Sequence, residues 1–216
     1  MPFSLPDATR VHPITLPDGT AHQGTVHLSA VIRHPRIEVG EFTYASDFDP
    51  PPPDGWAARL APYLFDFSRE RLTLGRFCQV AHGVRFITAS ANHDTRGIST
   101  YPFAVLDPET MASYQPDRRD TVIGHDVWLG HGAQVMPGAR IGNGVIVGAG
   151  AVVRGTIPDY AVVAGNPSQR IRMRFTPDEI DMLNALAWWH WPPESIARAR
   201  SALEQGDIAA LKGLAP

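Results

Sequence analysis

An aliphatic residue recurs at every sixth position between residues 123 and 153. The series consists of Ile123, Leu129, Val135, Ile141, Val147 and Val153. A period of six matches neither an α-helix, whose period is about 3.6, nor a single strand, which alternates residue by residue. It is typical of a triangular parallel β-helix, in which three hexapeptides form one coil of about 18 residues. The sequence therefore predicts an all-β solenoid whose interior is filled by this aliphatic series.

Composition limits the class of protein. The chain has 216 residues, 44% of them hydrophobic, which is enough for one domain with a continuous core. Its formal charge is -3 and it has no basic run, which argues against nucleic acid or an anionic membrane as the main partner. No apolar run approaches the roughly 18 residues of a membrane-spanning helix, and the first ten residues lack the pattern of an export signal. Cys78 is the only cysteine, which suits a reducing compartment, so we expect a cytoplasmic protein.

The repeat is interrupted twice. A first hexapeptide begins at Val39 after an irregular N-terminal stretch, and proline-rich residues 45–71 then break the pattern. Repeats resume at Leu74 and stop again over about 91–121. Segments inserted into a solenoid tend to lie on one face and to build binding sites. We therefore expect residues 91–121 to carry functional side chains.

Helical signals mark the last part of the chain. A capping box is made by Thr176 at the N-cap, Pro177 at N1 and Glu179 at N3. A second helix is expected from Pro193 to about Gln205. Three tryptophans between these helices carry too much apolar area to remain in water, so they should dock against the solenoid or a neighbouring subunit. We divide the chain into a solenoid domain, 1–175, and a helical tail, 176–216.

The hexapeptide array and several segments along the chain together carry a family resemblance. The segments read TLGRFCQVAHGVRF, NHDTRGISTYPF, HDVWLGHGAQVMPGARIG, AVVAGNPSQRIR and WWHWP. In this order, from about Arg36 to Pro192, they resemble the xenobiotic acetyltransferases, the hexapeptide-repeat family of the type B chloramphenicol and the streptogramin acetyltransferases. The resemblance implies a left-handed parallel β-helix, a homotrimer with active sites between subunits, and acetyl-CoA as co-substrate. The implied reaction transfers an acetyl group to a hydroxyl of a small molecule.

His93 is the candidate general base. Acetyl transfer to a hydroxyl needs a group that takes the hydroxyl proton, and an unperturbed histidine, with a pKa of about 6.5, suits this task. His93 lies in the 91–121 insertion, away from any core position, and the resemblance puts the family's base on the same residue. A plain surface histidine is the alternative reading of the residue by itself. We expect a backbone carbonyl to orient its ring, because Asp94 is poorly placed to reach back.

Cys78 is a weaker candidate for chemistry. It occupies an inward position of its repeat, where a packed thiol has a raised pKa and behaves as a small hydrophobe. Covalent catalysis through this residue is therefore not expected.

A second set of residues is assigned to the cofactor. Trp128 takes an outward repeat position and flanks the CoA site in the family, although packing in a trimer would also explain it. Small residues leave the backbone open to a pantetheine arm, and two arginines could bind phosphates or simply be solvated. These residues are Gly148, Ala149, Gly150, Asn166, Arg170 and Arg172.

The segments expected to bind the acceptor molecule match the family less closely than the rest of the chain. The insertion reads NHDTRGISTYPF where family members read close to NHRMDGSTYPF, so the drug substrates cannot be carried over directly. The candidate contacts are Tyr44, Phe65, Asn92 and Ser99. A sugar or cell-envelope saccharide hydroxyl is an alternative acceptor.

Two readings of another class stay open. The chain could be a zinc protein resembling the γ-carbonic anhydrases, using His82, His93, His125 and His131. Residues six apart fall on successive faces of the prism, whereas the ligands of one metal must converge, so we expect no metal site. His125 and His131 take corner positions and should be surface turns. A non-catalytic trimeric scaffold is the other possibility.

Overall fold

The computed structural model describes residues 3–114 and 117–216. The predicted insertion at 91–121 includes Gln115 and Pro116, which lie outside the described residues.

Short strands make up most of the fold. In chain order they are β1 (Thr25–His27), β2 (Ile37–Val39), β3 (Tyr44–Ser46), β4 (Leu72–Leu74), β5 (Gln79–Val80), β6 (Arg85–Phe86), β7 (Thr121–Ile123), β8 (Trp128–Leu129), β9 (Gln134–Val135), β10 (Arg140–Ile141), β11 (Ile146–Val147), β12 (Val152–Val153), β13 (Thr156–Ile157), β14 (Ala161–Ala164) and β15 (Gln169–Met173). The helices are α1 (Leu28–Val31), α2 (Trp56–Leu60), α3 (Phe103–Leu106), α4 (Pro177–Leu186), α5 (Pro193–Gln205) and α6 (Ile208–Gly213).

The strands form three sheets of seven, five and three strands. From β4 to β14, successive strands enter the five-, seven- and three-stranded sheets in turn, and neighbours from successive turns pair in parallel. Trp128 pairs with Ile146, and Val122 with Arg140, each one coil of 18 residues away. This register confirms the coils predicted from the hexapeptides.

The aliphatic series fills the space between the sheets. All six of its members are buried, with at most 3% of the surface of any one exposed. Each fully buried aliphatic side chain contributes about 1.5–3 kcal/mol relative to an exposed one. The stacked interior is therefore the main source of stability in the solenoid.

Glycines meet two different needs at the corners. A Cβ atom on Gly130 would lie 2.7 Å from the carbonyl oxygen of Val147, so the coils stack too closely for a side chain there. Gly150 instead has a φ of +66°, a backbone conformation that favours glycine because it has no Cβ atom.

The N-terminal stretch is more regular than the sequence indicated. β1 pairs antiparallel with β3 at the edge of the seven-stranded sheet, and α1 follows it directly. The expectation of an irregular segment was wrong here, because three residues are too few to display a period. β1 covers the first coil, and β15, which returns antiparallel to β14, covers the last.

The tail begins as predicted. The hydroxyl of Thr176 and the carboxylate of Glu179 make both hydrogen bonds of the capping box, and α5 spans the predicted range. The tryptophans dock on the solenoid: Trp189 is 2% exposed, and Trp188 packs against Phe77 with ring centroids 4.9 Å apart. α6 was not predicted.

Across residues 3–114 and 117–216, no helix combines the length and apolar character needed to cross a membrane.

Candidate active site

His93 lies on the surface of the insertion, with its ring held by the backbone. Its Nδ1 atom is 2.7 Å from the carbonyl oxygen of Thr100. Because a carbonyl can only accept, Nδ1 carries the hydrogen and the Nε2 lone pair is left available. The predicted orientation by a backbone carbonyl is confirmed. This tautomer is the one that a general base needs.

The chain around His93 is held by Tyr114. The Asp94 amide donates to Tyr114 Oη at 3.0 Å, and this hydroxyl donates to the Asn92 carbonyl at 3.4 Å. Asp94 itself pairs with Arg96, whose hydrogen bonds lower the pKa of the carboxyl to about 2. Asp94 therefore turns away from His93 and does not compete for its ring.

Ser99 supports the same segment. Its Oγ accepts a hydrogen bond from the Tyr101 amide at 3.1 Å, just beside the Thr100 carbonyl that orients His93. Asn92 is half-buried and contributes its carbonyl rather than its side chain. Both predicted acceptor contacts thus flank His93.

Trp128, Tyr44 and Arg172 share one face of the seven-stranded sheet. Tyr44 pairs with Gln79, which pairs with Trp128, and the register continues through β11 and β14 to Arg172. With strands about 4.8 Å apart, Trp128 and Arg172 are about 14 Å apart across the sheet. The Trp128 side chain is 49% exposed, so this face presents an open aromatic ring.

The small residues assigned to the cofactor stack at one edge of that face. Gly148 follows β11, and its amide donates to the carbonyl of Val163 at 2.8 Å. A Cβ atom on Gly148 would lie 2.9 Å from that of Ala164, whereas Gly150 faces open space. Ala149, Gly150 and Asn166 are exposed, as are Arg170 and Arg172 on β15. Together they form an uncovered corner that leads to two guanidinium groups.

Phe65 lies elsewhere, in a cavity of about 540 Å³ beside the insertion. Its ring stacks on Phe67 with centroids 5.1 Å apart, and Tyr114 lines the same cavity. Glu70, which is 4% exposed, accepts a hydrogen bond from the Ser90 amide at 3.1 Å in the wall. This cavity adjoins the segment that carries His93.

Within one chain, His93 and the cofactor candidates belong to different elements. In the part of the chain that the structure describes, no hydrogen bond or aromatic contact joins His93 to Trp128. The base lies with Tyr114 on the insertion, whereas the cofactor candidates lie on the seven-stranded sheet and its edge.

Cys78 occupies the packed inward position predicted for it. It is fully buried, and burial raises the pKa of the thiol to about 12. Its Sγ lies 3.1 Å from the carbonyl oxygen of Gly124, so it packs as a core residue.

Of the four histidines in the zinc hypothesis, His82 and His131 stack on each other, but the four do not form one group. Among residues 3–114 and 117–216, no group of three or more His, Cys, Asp or Glu side chains could hold a metal ion. The expectation that His125 is a plain surface turn was wrong: its ring stacks on Trp189 and is half-buried. Burial and the nearby His190 and Arg76 lower its pKa to about 4.

The sequence analysis also missed a histidine–carboxylate pair. His82 Nδ1 lies 2.6 Å from Oδ1 of Asp47, and the His82 ring stacks on that of His131. These residues are distant in sequence and carry no motif. Their positions, one coil apart at one corner, were the only signal that could have indicated the contact.

Known proteins match both the hexapeptide repeat and most of the length of this chain. Residues 120–155 match the family model described as bacterial transferase hexapeptide (six repeats). A chloramphenicol acetyltransferase of Agrobacterium fabrum is 36% identical over 193 residues, which cover 86% of this chain and 90% of the relative. A virginiamycin A acetyltransferase of Staphylococcus aureus is 33% identical over 213 residues, covering 96% of this chain and 92% of the relative.

A maltose O-acetyltransferase from Clostridium difficile 630 aligns with a TM-score of 0.44 and 26% identity, over 66% of this chain and 61% of that chain. The family assignment rests on the relatives that match most of this chain by sequence. The chain belongs to the hexapeptide-repeat acetyltransferases, in the family that contains the chloramphenicol and virginiamycin A acetyltransferases.

Proposed function

We propose that this protein transfers the acetyl group of acetyl-CoA to a hydroxyl of a small molecule, with His93 as general base. The observation that carries the proposal is the 2.7 Å hydrogen bond between His93 Nδ1 and the Thr100 carbonyl. This hydrogen bond leaves Nε2 of His93 as the proton acceptor. His93 lies at the surface, in the segment inserted between two coils of the solenoid.

The chemistry follows from that tautomer. Nε2 of His93 takes the proton of the acceptor hydroxyl while the hydroxyl oxygen attacks the thioester carbonyl. The new imidazolium is stabilised by the Thr100 carbonyl, which already accepts from Nδ1–H. The tetrahedral intermediate then loses the CoA thiolate, which is protonated to the free thiol. His93 supplies that proton, which returns its ring to the neutral form and closes the proton balance.

Acetyl-CoA is the donor in this proposal. The exposed ring of Trp128 offers a flat surface, and the corner at Gly148, Ala149 and Gly150 offers open backbone beside it. Arg170 and Arg172, on the last strand, supply two charges that could bind phosphates. Asn166 lies between the corner and these arginines in sequence and is exposed.

The site is completed by a second subunit in this proposal. His93 and Trp128 belong to separate surfaces of one chain, and the insertion exposes a set of large apolar side chains. These are Ile98, Tyr101, Phe103 and Leu106. Apolar patches of this kind mark interaction sites. We assign them to a homotrimer of left-handed coils, built from the domain 1–175 with the tail 176–216, and we place the reaction in the cytoplasm.

The acceptor is proposed to be a mainly apolar hydroxyl compound, such as chloramphenicol or streptogramin A. The relatives that are named for chloramphenicol and virginiamycin A support this class. Aromatic residues beside the insertion, Phe65 and Tyr114, support it as well, because they line a cavity large enough for a drug-sized molecule. Tyr44 lies on the cofactor face and would contact the acceptor from the neighbouring subunit.

Thiol release from acetyl-CoA tests the function. The assay compares chloramphenicol, virginiamycin A, maltose and no acceptor, with acetyl-CoA binding measured separately by calorimetry. Turnover with either drug supports the full proposal. Turnover with maltose alone retains the reaction and corrects the acceptor class, whereas failure to bind acetyl-CoA contradicts the function itself.

A further inference from the structure

Tyr114 lies between the segment that carries the base and the cavity beside the insertion. It directly follows the 3₁₀ turn Met111–Ser113. It lines the cavity of about 540 Å³ that Phe65 also lines, and it lines a second cavity, of about 210 Å³, together with Thr100. Thr100 is the residue whose carbonyl orients His93. The Tyr114 side chain therefore borders both the proposed acceptor cavity and the turn that holds the base.

The hydroxyl of Tyr114 bridges the two peptide groups that flank His93. Its oxygen accepts a hydrogen bond from the Asp94 amide at 3.0 Å, and the same hydroxyl donates to the Asn92 carbonyl at 3.4 Å. The first hydrogen bond is the stronger, because typical N–H···O separations end at about 3.2 Å. Peptide groups are planar, so holding the groups before and after a residue restricts the direction of its Cα–Cβ bond. The bridge therefore restricts where the His93 side chain leaves the backbone.

His93 has little other support from packing. Both His93 and Thr100, which accepts the hydrogen bond from its ring, are exposed. The hydrogen bond to Thr100 sets the tautomer, but it joins two parts of the same exposed segment. Tyr114 is half-buried and lies 20 residues beyond Asp94 in the sequence. Its hydroxyl thus ties the segment of the base to a separate and better packed part of the insertion.

The start of the same segment is held from the same cavity. Glu70 is 4% exposed, and its Oε1 accepts hydrogen bonds from the amide of Ser90 at 3.1 Å and from its hydroxyl at 3.3 Å. Ser90 comes three residues before His93, and both Glu70 and Ser90 line the cavity with Tyr114. The residues that form the cavity wall are therefore also those that hold the chain on both sides of the base.

We propose that Tyr114 is a positioning residue for acetyl transfer, whose hydroxyl holds the peptide groups around His93 while its ring forms part of the wall that the acceptor contacts. The inference rests on the acetyl-transfer function proposed above and adds a link between acceptor binding and the geometry of the base. Tyr114 exchanges no proton with the reactants. It acts through the backbone of His93, and an acceptor that packs against its ring stabilises the arrangement in which Nε2 faces the acceptor hydroxyl.

Substitutions of Tyr114 separate the hydroxyl from the ring. Tyr114→Phe keeps the ring and removes Oη, so it should lower kcat for chloramphenicol by about 10 to 100-fold while the KM stays within about twofold of wild type. The Kd for acetyl-CoA should not change. Tyr114→Leu also removes the aromatic wall, so it should lower kcat similarly and raise the KM by about fivefold or more. A merely structural residue would instead change the yield or the unfolding temperature and leave kcat per folded site unchanged.

The ¹⁵N signals of the His93 ring provide a readout that needs no acceptor. At about pH 8, where an unperturbed imidazole is neutral, the wild-type protein should show the Nδ1–H tautomer alone. Tyr114→Phe should show a mixture of the two neutral tautomers, because the loosened backbone no longer keeps Nδ1 against the Thr100 carbonyl. This measurement decides the proposal even if chloramphenicol is not the acceptor.

Tyr63→Phe is the matched control. It removes the hydroxyl of a tyrosine that is 43% exposed and does not line the cavity, so it should change neither kcat nor the ¹⁵N signals. Wild-type ¹⁵N signals in Tyr114→Phe, or a wild-type kcat in that variant, would overturn the proposal. Failure of the wild-type protein to bind acetyl-CoA, or full activity in His93→Ala, would instead refute the acetyl-transfer function, so the two failures are distinguishable.

Discussion

The imidazole of His125 lies flat on the indole of Trp189, with ring centroids 5.2 Å apart and planes 6° apart. A corner of the solenoid is thereby covered by the tail, at a point where a histidine would otherwise face water. The tail thus packs on the solenoid through a second hydrophobic cluster, which includes Tyr160 and Phe77.

Removing that indole should destabilise the protein. Trp189 is 2% exposed, so Trp189→Ala should lower the free energy of unfolding by about 3–5 kcal/mol. Urea unfolding followed by circular dichroism measures the change. Trp128→Ala is the control, because half of that side chain is already in water, and it should cost far less. Equal losses in the two variants would contradict the docking of the tail.

The carboxyl of Asp126 should make stability depend on pH. Burial raises its pKa from 3.8 to about 6, although Arg174 lies 3.8 Å away and opposes the shift. Because the pKa is higher in the folded state, its contribution to stability is complete below about pH 4 and is lost as the pH rises through about 6.

The variant Asp126→Asn isolates this effect. Asp126 has a φ of +53°, a conformation that asparagine also tolerates, so the backbone should not be strained. Relative to wild type, the variant should gain on the order of 2 kcal/mol between pH 4 and pH 8. Urea unfolding at several pH values measures the difference. A constant difference across that range would show that Asp126 ionises as in the unfolded chain.

Complementation tests the division of the site between subunits. His93→Ala and Trp128→Ala should each be inactive or severely impaired alone, because each removes one side of every site. Denaturing them together and refolding the mixture should restore part of the activity, since some mixed trimers pair an intact His93 with an intact Trp128. Refolded mixtures that stay as inactive as the single variants would mean that both residues act within one chain.

The two arginines of β15 should bind the cofactor phosphates. Replacing both Arg170 and Arg172 by alanine should weaken acetyl-CoA binding by about 10 to 100-fold and reduce its dependence on salt. Calorimetry at two salt concentrations measures both effects. The exposed Arg154 is the control, and its replacement should change neither. If the Arg154 variant weakened acetyl-CoA binding equally, the loss would reflect the general surface charge and not a phosphate site at Arg170 and Arg172.

The coils were predictable because the hexapeptide period survives in the sequence from Ile123 to Val153. The tail helix was predictable because its capping box is local, with Thr176 and Glu179 only three residues apart. The carbonyl partner of His93 followed from the poor reach of its neighbour Asp94. In each case the information lies within a few residues or in a regular period.

Contacts between side chains on different coils could not be predicted from the sequence. Asp47 and His82 meet because they occupy equivalent positions on adjacent coils, but the proline-rich interruption separates these coils in the sequence, and no pattern encodes its length. The return strand that carries Arg170 follows a turn whose geometry the repeat does not specify. The stack of His125 on Trp189 depends on where the tail docks, which is a property of the folded surface.

The central claim is that His93 acts as the general base, and its most direct test is single-turnover acetyl transfer to chloramphenicol by wild type and His93→Ala. The account predicts that the substitution lowers the rate of the chemical step by about 100 to 10,000-fold and leaves the Kd for acetyl-CoA unchanged. A variant that retains the wild-type rate within a few fold, or one that loses acetyl-CoA binding in proportion to its rate, would contradict it.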